Sequence, residues 1–199
     1  MTWLFRRLLD LWVRYQVRPE DVVARLRERT NPVCYVLEGR SFADLAVLQS
    51  ACVRLKLARP RKRLPAAARE LRSFFYLSRP RGFWDERRDR RPPAQLVRMI
   101  EILQADHTTL DIDLIPAAVY WGRAPQKEEG SWLKLLLVEE WAITSRLRKF
   151  LQVLINGRNV LIEIHEPVSL RSLLTEAGGI PVQGRRVTRA LRALYARQR

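Results

Sequence analysis

The sequence predicts an α/β fold, a single domain with a mostly parallel mixed sheet flanked by helices. Three observations carry this. In residues 110–130, LDIDLIPAAVYWGRAPQKEEG, the stretch from Ile115 to Tyr120 is almost unbroken apolar sequence, bounded by charges before it and by Gly122 and Pro125 after it. A run of that kind reads as a strand buried on both faces. PVCYVL at 32–37 leads into the polar turn Glu38-Gly39-Arg40-Ser41 and then into helical spacing, which makes a βα unit. Finally, strand-like and helix-like segments alternate along the chain, a pattern that favours crossovers covering both faces of one sheet.

Residues 2–17 place Leu4, Leu8, Leu11, Trp12 and Tyr15 on one helical stripe, with Arg6, Arg7 and Arg14 flanking it. Tryptophan with arginine on an amphipathic helix fits an interfacial membrane helix, and it equally fits a helix packed on its own domain. Trp3, Phe5, Arg6, Arg7, Leu8 and Trp12 are the candidate membrane contacts. A connection over 18–30 follows, with a helical turn expected at Glu20–Arg27. After the strand at 32–37, Ser41 is placed to cap a helix whose apolar face is Leu45, Leu48, Cys52 and Leu55. SFFYL at 73–77 reads as a second strand. The arginine-rich stretch 79–93 reads as an exposed loop, either plain solvated surface or an anionic or interfacial contact.

Leu96, Ile100 and Leu103 predict a helix over 95–103, with Pro92 and Pro93 at its start. The strand from Asp111 follows, and its Pro116 removes one ladder donor, so a bulge or a strand entry is expected there. The longest helical pattern spans 133–154, a strand is expected at 159–164, and closing helices at 168–177 and 187–197. The four strands should share one sheet with the strand from Asp111 central. The whole divides into an amphipathic helix over 1–18 and an α/β domain over 30–199.

At 199 residues with 47% hydrophobic content, the chain is long enough for one well-formed core. The formal charge of +16 is unusual, and arginine dominates it, because lysine stands only at 56, 62, 127, 134 and 149. That excess suits nucleic acid, anionic lipid or a phosphorylated substrate. No apolar stretch approaches the ~20 residues needed to span a bilayer. Two cysteines make no disulfide framework, and a reducing setting is expected.

Few residues carry recognisable chemistry. His107 has aspartates four and six positions on, at 111 and 113, and not the five of a His-x4-Asp motif. His165 stands before Glu166-Pro167 and reads as structural. With Cys34 in a strand and Cys52 on a helix, no metal cluster is expected, and no cofactor. Glu38-Gly39-Arg40-Ser41 has the makings of an anion site, a backbone turn, one arginine and a helix N-terminus, and it is equally a plain βα turn.

The combination of PVCYVLEGRSFADLAVLQ, DIDLIPAAVYWGRAPQKEEG and the closing LYARQR resembles the N-terminal region of bacterial membrane-bound glycerol-3-phosphate 1-O-acyltransferase, the PlsB type. The GRAP turn with its following glutamate and glycine is the most specific piece, and the resemblance covers nearly the whole chain. It implies that the chain is a fragment or a truncated product, with the catalytic domain downstream. In that catalytic domain the histidine of His-x4-Asp is the general base on the glycerol hydroxyl, which attacks an acyl thioester. Laid over this chain, Gly39 falls where the histidine would be and Asp44 where the aspartate would be. Leu114-Ile115-Pro116 is similar to the family's Ile-Pro block and His165-Glu166-Pro167 to its Gly-Glu-Pro.

The resemblance therefore implies a degenerate copy of the acyltransferase fold, with no catalytic residue of its own and inactive alone. Arg40 and Arg123 are its possible anion contacts. The implied partners are an anionic membrane surface and the catalytic domain of the same enzyme. Acyl-CoA or acyl-ACP and glycerol-3-phosphate would be met only through that domain. The implied location is peripheral, on the cytoplasmic face of the inner membrane. A basic nucleic-acid-binding protein is the alternative, supported by charge alone, since the aromatics sit at helix and strand positions and not interleaved with the bases.

Overall fold

The computed structural model describes residues 14–65, 68–78, 91–105, 111–121, 160–174 and 179–196. Among them the sheet comprises β1 (Tyr15–Arg18), β2 (Val33–Leu37), β3 (Phe74–Tyr76), β4 (Asp113–Trp121), β5 (Val160–Ile164) and β6 (Val168–Ser169). The helices are α1 (Glu20–Glu28), α2 (Phe42–Arg54), α3 (Ala94–Ala105), α4 (Leu170–Leu173) and α5 (Ile180–Ala196). Strand order is β1-β5-β4-β2-β3, with β6 also on β4. Strands β2, β3 and β4 run parallel, β5 and β6 are antiparallel to β4, and β1 is parallel to β5. The mixed, mostly parallel sheet and the central place of the strand from Asp111 follow the sequence reading.

Each face of the sheet carries its own core, because β-strand side chains alternate between faces. Val33, Tyr35 and Leu37 of β2 pack with Ile115 and Ala117 of β4 beneath α1 and α2. Cys34 and Val36 point the other way and join Leu114 and Phe75 beneath α3 and α5. All five residues of β2 are buried, as the apolar run required. From β2 the chain crosses to β3 on one side and then returns to β4 on the other. The carboxyl ends of β2 and β4 therefore form a topological switch point, the place where open α/β sheets hold ligands.

Pro116 is accommodated as its missing donor demands. Its carbonyl accepts from the His165 amide at 3.0 Å, so its nitrogen faces the same side, toward the β5–β6 chain. There Ala117 pairs with Ile164 and Leu114 with Val168, so Ile115 and Pro116 oppose the three residues His165, Glu166 and Pro167. The surplus residue is a bulge, and it splits what would be one strand into β5 and β6.

The amino end of β4 is closed by charges that meet partners. Asp113 is fully buried, and its Oδ2 takes the Arg29 Nη1 at 2.7 Å. Asp111 accepts from the Ser169 hydroxyl at 2.6 Å and from the amides of Ile112 at 2.7 Å and Arg171 at 3.1 Å. It thereby ties the start of β4 to the start of α4.

Several boundaries differ from the sequence reading. Tyr15–Arg18, expected as the last turn of an amphipathic helix, is an edge strand: Tyr15 and Val17 alternate inward with Gln16 and Arg18 exposed, and the strand pairs with β5. The rest of the expected helix, residues 1–13, lies outside the described residues, as does the expected helix over 133–154. The single turn expected at Glu20–Arg27 is a full helix, held by Val22, Val23 and Leu26 against the core. The closing segment expected as a helix over 168–177 is β6 and the short α4, because Leu114 captures Val168 in the ladder. The last helix starts at Ile180, earlier than expected.

Candidate functional site

The site lies at the carboxyl edge of β2, β3 and β4. Leu37 ends β2, and the turn Glu38-Gly39-Arg40 leads to Ser41, whose hydroxyl accepts from the Asp44 amide at 3.2 Å and caps α2. This is the cap expected from the sequence, with Asp44 in the first turn, where a carboxylate meets the positive end of the helix. Helix α2 ends on Lys56 with φ 58 and with the amides of Lys56 and Leu57 on the carbonyls of Val53 and Cys52, a Schellman closure made by lysine where glycine is usual. Both ends of the helix that carries Asp44 are therefore fixed.

Asp44 and the end of β4 meet directly. The Trp121 indole N–H donates to Asp44 Oδ1 at 2.8 Å, across the carboxyl ends of the switch-point strands. Gly39, the position five residues before Asp44, has no side chain to offer, and a Cβ built there meets no atom within 4 Å. Its φ is not in the left-handed region, so neither backbone strain nor crowding requires the glycine. Arg123 lies outside the described residues, as do Trp3, Phe5, Arg6, Arg7, Leu8, Trp12 and His107. The structure thus brings together Gly39, Arg40, Asp44 and the end of β4.

A residue that the sequence reading left without a role fills the switch point. The Tyr195 hydroxyl, from the last turn of α5, donates to the Val36 carbonyl at 2.6 Å and accepts from the Ala117 amide at 3.0 Å. It bridges β2 and β4 where the two strands begin to part. Burial pushes its ionisation well above the ordinary tyrosine value of 10, while the bond from Ala117 opposes this, so the bridging group is a neutral phenol. The Tyr195 ring stands edge-on to His165, with centroids 6.2 Å apart. The signal in the sequence was a tyrosine in register with Val187 and Leu191 on the apolar face of the last helix. Its polar tip had to find a buried partner.

No nucleophile or base is prepared at this edge among the described residues. Burial pushes Cys34 above the ordinary thiol range and Cys52 up to about 12, with the bond to Tyr35 pulling the latter down. Both thiols are therefore inert at neutral pH. His165 is half-buried, and burial lowers its pKa from 6.5 against the opposing influence of Glu163. Among the described residues, no group of three or more His, Cys, Asp or Glu side chains could hold a metal ion. No helix among them is long and apolar enough to cross a membrane.

Beside the switch point, an open cleft of about 340 Å³ runs along edge strand β3 to the start of α3. Arg40 borders it from the turn after β2, Arg91 from the approach to α3, and Tyr76, Ser78 and Gln95 line it between them. The Ser78 amide donates to the Glu38 carbonyl at 2.9 Å, so the turns after β2 and β3 are held side by side.

Comparison with known proteins gives one answer. A family model described as the glycerol-3-phosphate acyltransferase PlsB N-terminal domain matches residues 1–199. Three proteins named glycerol-3-phosphate acyltransferase illustrate the relatives. That of Pseudomonas fluorescens (strain SBW25) is 37% identical over 194 residues, covering 96% of this chain and 22% of that protein. That of Ectopseudomonas mendocina (strain ymp) is 35% identical over 197 residues, covering 98% and 23%. That of Pseudomonas aeruginosa (strain UCBPP-PA14) is 38% identical over 194 residues, covering 96% and 23%. No solved structure matches the chain. The chain spans less than a quarter of the length of these relatives, and it belongs to the family of N-terminal domains of the PlsB-type glycerol-3-phosphate acyltransferases.

Proposed function

We propose that this chain is the non-catalytic, membrane-associated N-terminal part of a glycerol-3-phosphate 1-O-acyltransferase. The complete enzyme transfers an acyl group from acyl-CoA or acyl-ACP to sn-glycerol-3-phosphate, and the chemistry belongs to a catalytic domain downstream of this one. The observation that carries the reading is the state of the switch point. Tyr195 bridges the strands there, Asp44 is engaged by Trp121, and Gly39 stands where a base would be needed. A general base contributes about 10²–10⁴-fold to such a transfer, so an edge without one has little to offer the acyl acceptor.

In this reading, the unit of β2, its turn and α2 is a relic of an acyltransferase site, with Gly39 and Asp44 at the positions of the lost pair. The chain sits peripherally on the cytoplasmic face of the inner membrane. Trp3, Phe5, Leu8 and Trp12 enter the headgroup region, and Arg6 and Arg7 contact anionic lipid at about 1 kcal/mol for each charge. The purified chain, supplied with acyl-CoA and glycerol-3-phosphate, should produce no lysophosphatidate above buffer, and measurable turnover would overturn the non-catalytic reading. Flotation with anionic liposomes tests the membrane part separately. Binding should weaken with salt, with Trp3→Ser plus Trp12→Ser, and with removal of residues 1–17; flotation unaffected by that removal would make the segment a packing element.

A further inference from the structure

The cleft beside the switch point has a chemical character that the relic reading does not use. Two guanidinium groups, Arg40 and Arg91, reach it from different loops, and no carboxylate is among the side chains that line it. The Tyr76 hydroxyl and the Ser78 side chain lie between them, with Gln95 at the base of α3. The nearest acid, Asp44, is committed to the Trp121 indole. Around Tyr76 the neighbouring cations are Arg40 and Arg61, against Asp44 as the single anion. Arg61 also stacks over the Phe42 ring at 5.2 Å, which holds it on the same edge.

We infer that this cleft is a binding site for a phosphate monoester, held by Arg40 and Arg91 as charge-assisted donors and oriented by Ser78 and Gln95. Its volume stands at the small end of ligand pockets, which fits a phosphorylated headgroup or a free phosphate and excludes an acyl chain. Planar guanidinium forks are suited to the paired oxygens of a phosphate. The first turn of α3, whose backbone amides lack intrahelical partners by helix geometry, closes one wall. The inference pairs Arg40 with Arg91, two residues that the fold brings to one cleft although 51 positions separate them in the sequence. It is independent of the membrane helix and of the catalytic history of the domain.

The test uses the full 199-residue chain, isotopically labelled, with inorganic phosphate added at constant ionic strength against chloride. Saturable shifts of the Gly39, Ser78 and Gln95 amides are expected. Arg40→Glu or Arg91→Glu should weaken the affinity about tenfold or more, and Arg40→Gln by less, with the remaining spectrum unchanged as the check on folding. Arg98→Glu is the control, because Arg98 sits on the exposed side of α3 in a pair with Glu101 at 2.9 Å and alters the net charge equally. An equal loss with Arg98→Glu would reduce the effect to overall charge and overturn the site, as would an absence of saturable shifts with both phosphate sources. A second arm replaces phosphate with phosphatidylcholine vesicles, with and without phosphatidic acid. A stronger effect of Arg40→Glu on the phosphatidic acid vesicles than on free phosphate identifies a lipid headgroup as the source, and the reverse identifies a soluble phosphate.

Discussion

The two ends of β4 solve opposite problems. At the amino end, charges are buried and matched: Asp113 is sealed with Arg29, and Asp111 takes three donors from its surroundings. At the carboxyl end, the groups that meet are a neutral phenol bridging two strands and a carboxylate held by an indole. The amino end is where the fold locks a strand in place. The carboxyl end keeps the layout of a ligand-binding edge, with its loops, capped helix and cleft, but carries no prepared base. Retained architecture and lost chemistry can thus stand a strand's length apart, and only the named side chains tell them apart.

The largest effect should come from breaking the amino end. Arg29→Ala leaves the fully buried Asp113 carboxylate without its cation, and urea unfolding should record a loss of about 3 kcal/mol, the low end for such pairs because Arg29 itself is 41% exposed. A loss below about 1 kcal/mol would mean that water replaces the guanidinium and that the contrast between the ends is false. Next comes the phenol. Tyr195→Phe keeps the ring against His165 but strips the bridge from Val36 and Ala117, and unfolding should cost about 2 kcal/mol. If it costs nothing, the hydroxyl fills space without joining the strands.

Removing the cap by Ser41→Ala should cost about 1 kcal/mol, with amide exchange fastest in the first turn of α2. The smallest effect is expected at Gly39. Gly39→His places an imidazole five residues before Asp44 in open space, so unfolding should change by no more than about 0.5 kcal/mol. Acylation should still be absent, because Asp44 remains bonded to Trp121 and Tyr195 still bridges the strands. Turnover gained by that single change would show that a missing imidazole was the only loss at this edge.

How much of this was legible in the sequence depended on whether the signal was periodic. Strands β2, β3, β4 and β5 could be read because their apolar runs must be buried whatever their partners. The cap at Ser41 could be read because hydroxyl and helix start are local. The strand nature of Tyr15–Arg18 could not, since its aromatic and aliphatic residues fit a helical stripe and an edge strand equally, and pairing with β5, more than 140 positions away, decides between them. Likewise Arg40 was recognisable as a cation near a turn, but Arg91 as its companion is a product of topology. Tyr195 lay within a stretch that carried the family resemblance, yet nothing local to it announces the carbonyl of Val36, 159 residues away.

The bulge opposite Pro116 has a consequence for length variation in this part of the chain. A proline without a donor and a three-residue span facing two together mark one place where the β5–β6 chain is already out of step with β4. An insertion between Ile164 and Val168 would be absorbed there, lengthening a segment that has no ladder to keep. The same insertion within Val160–Ile164 would turn every side chain of β5 to the opposite face and expel Ile162 from the core. Only a few residues apart, one stretch tolerates growth and the other forbids it, and the proline marks the border between them.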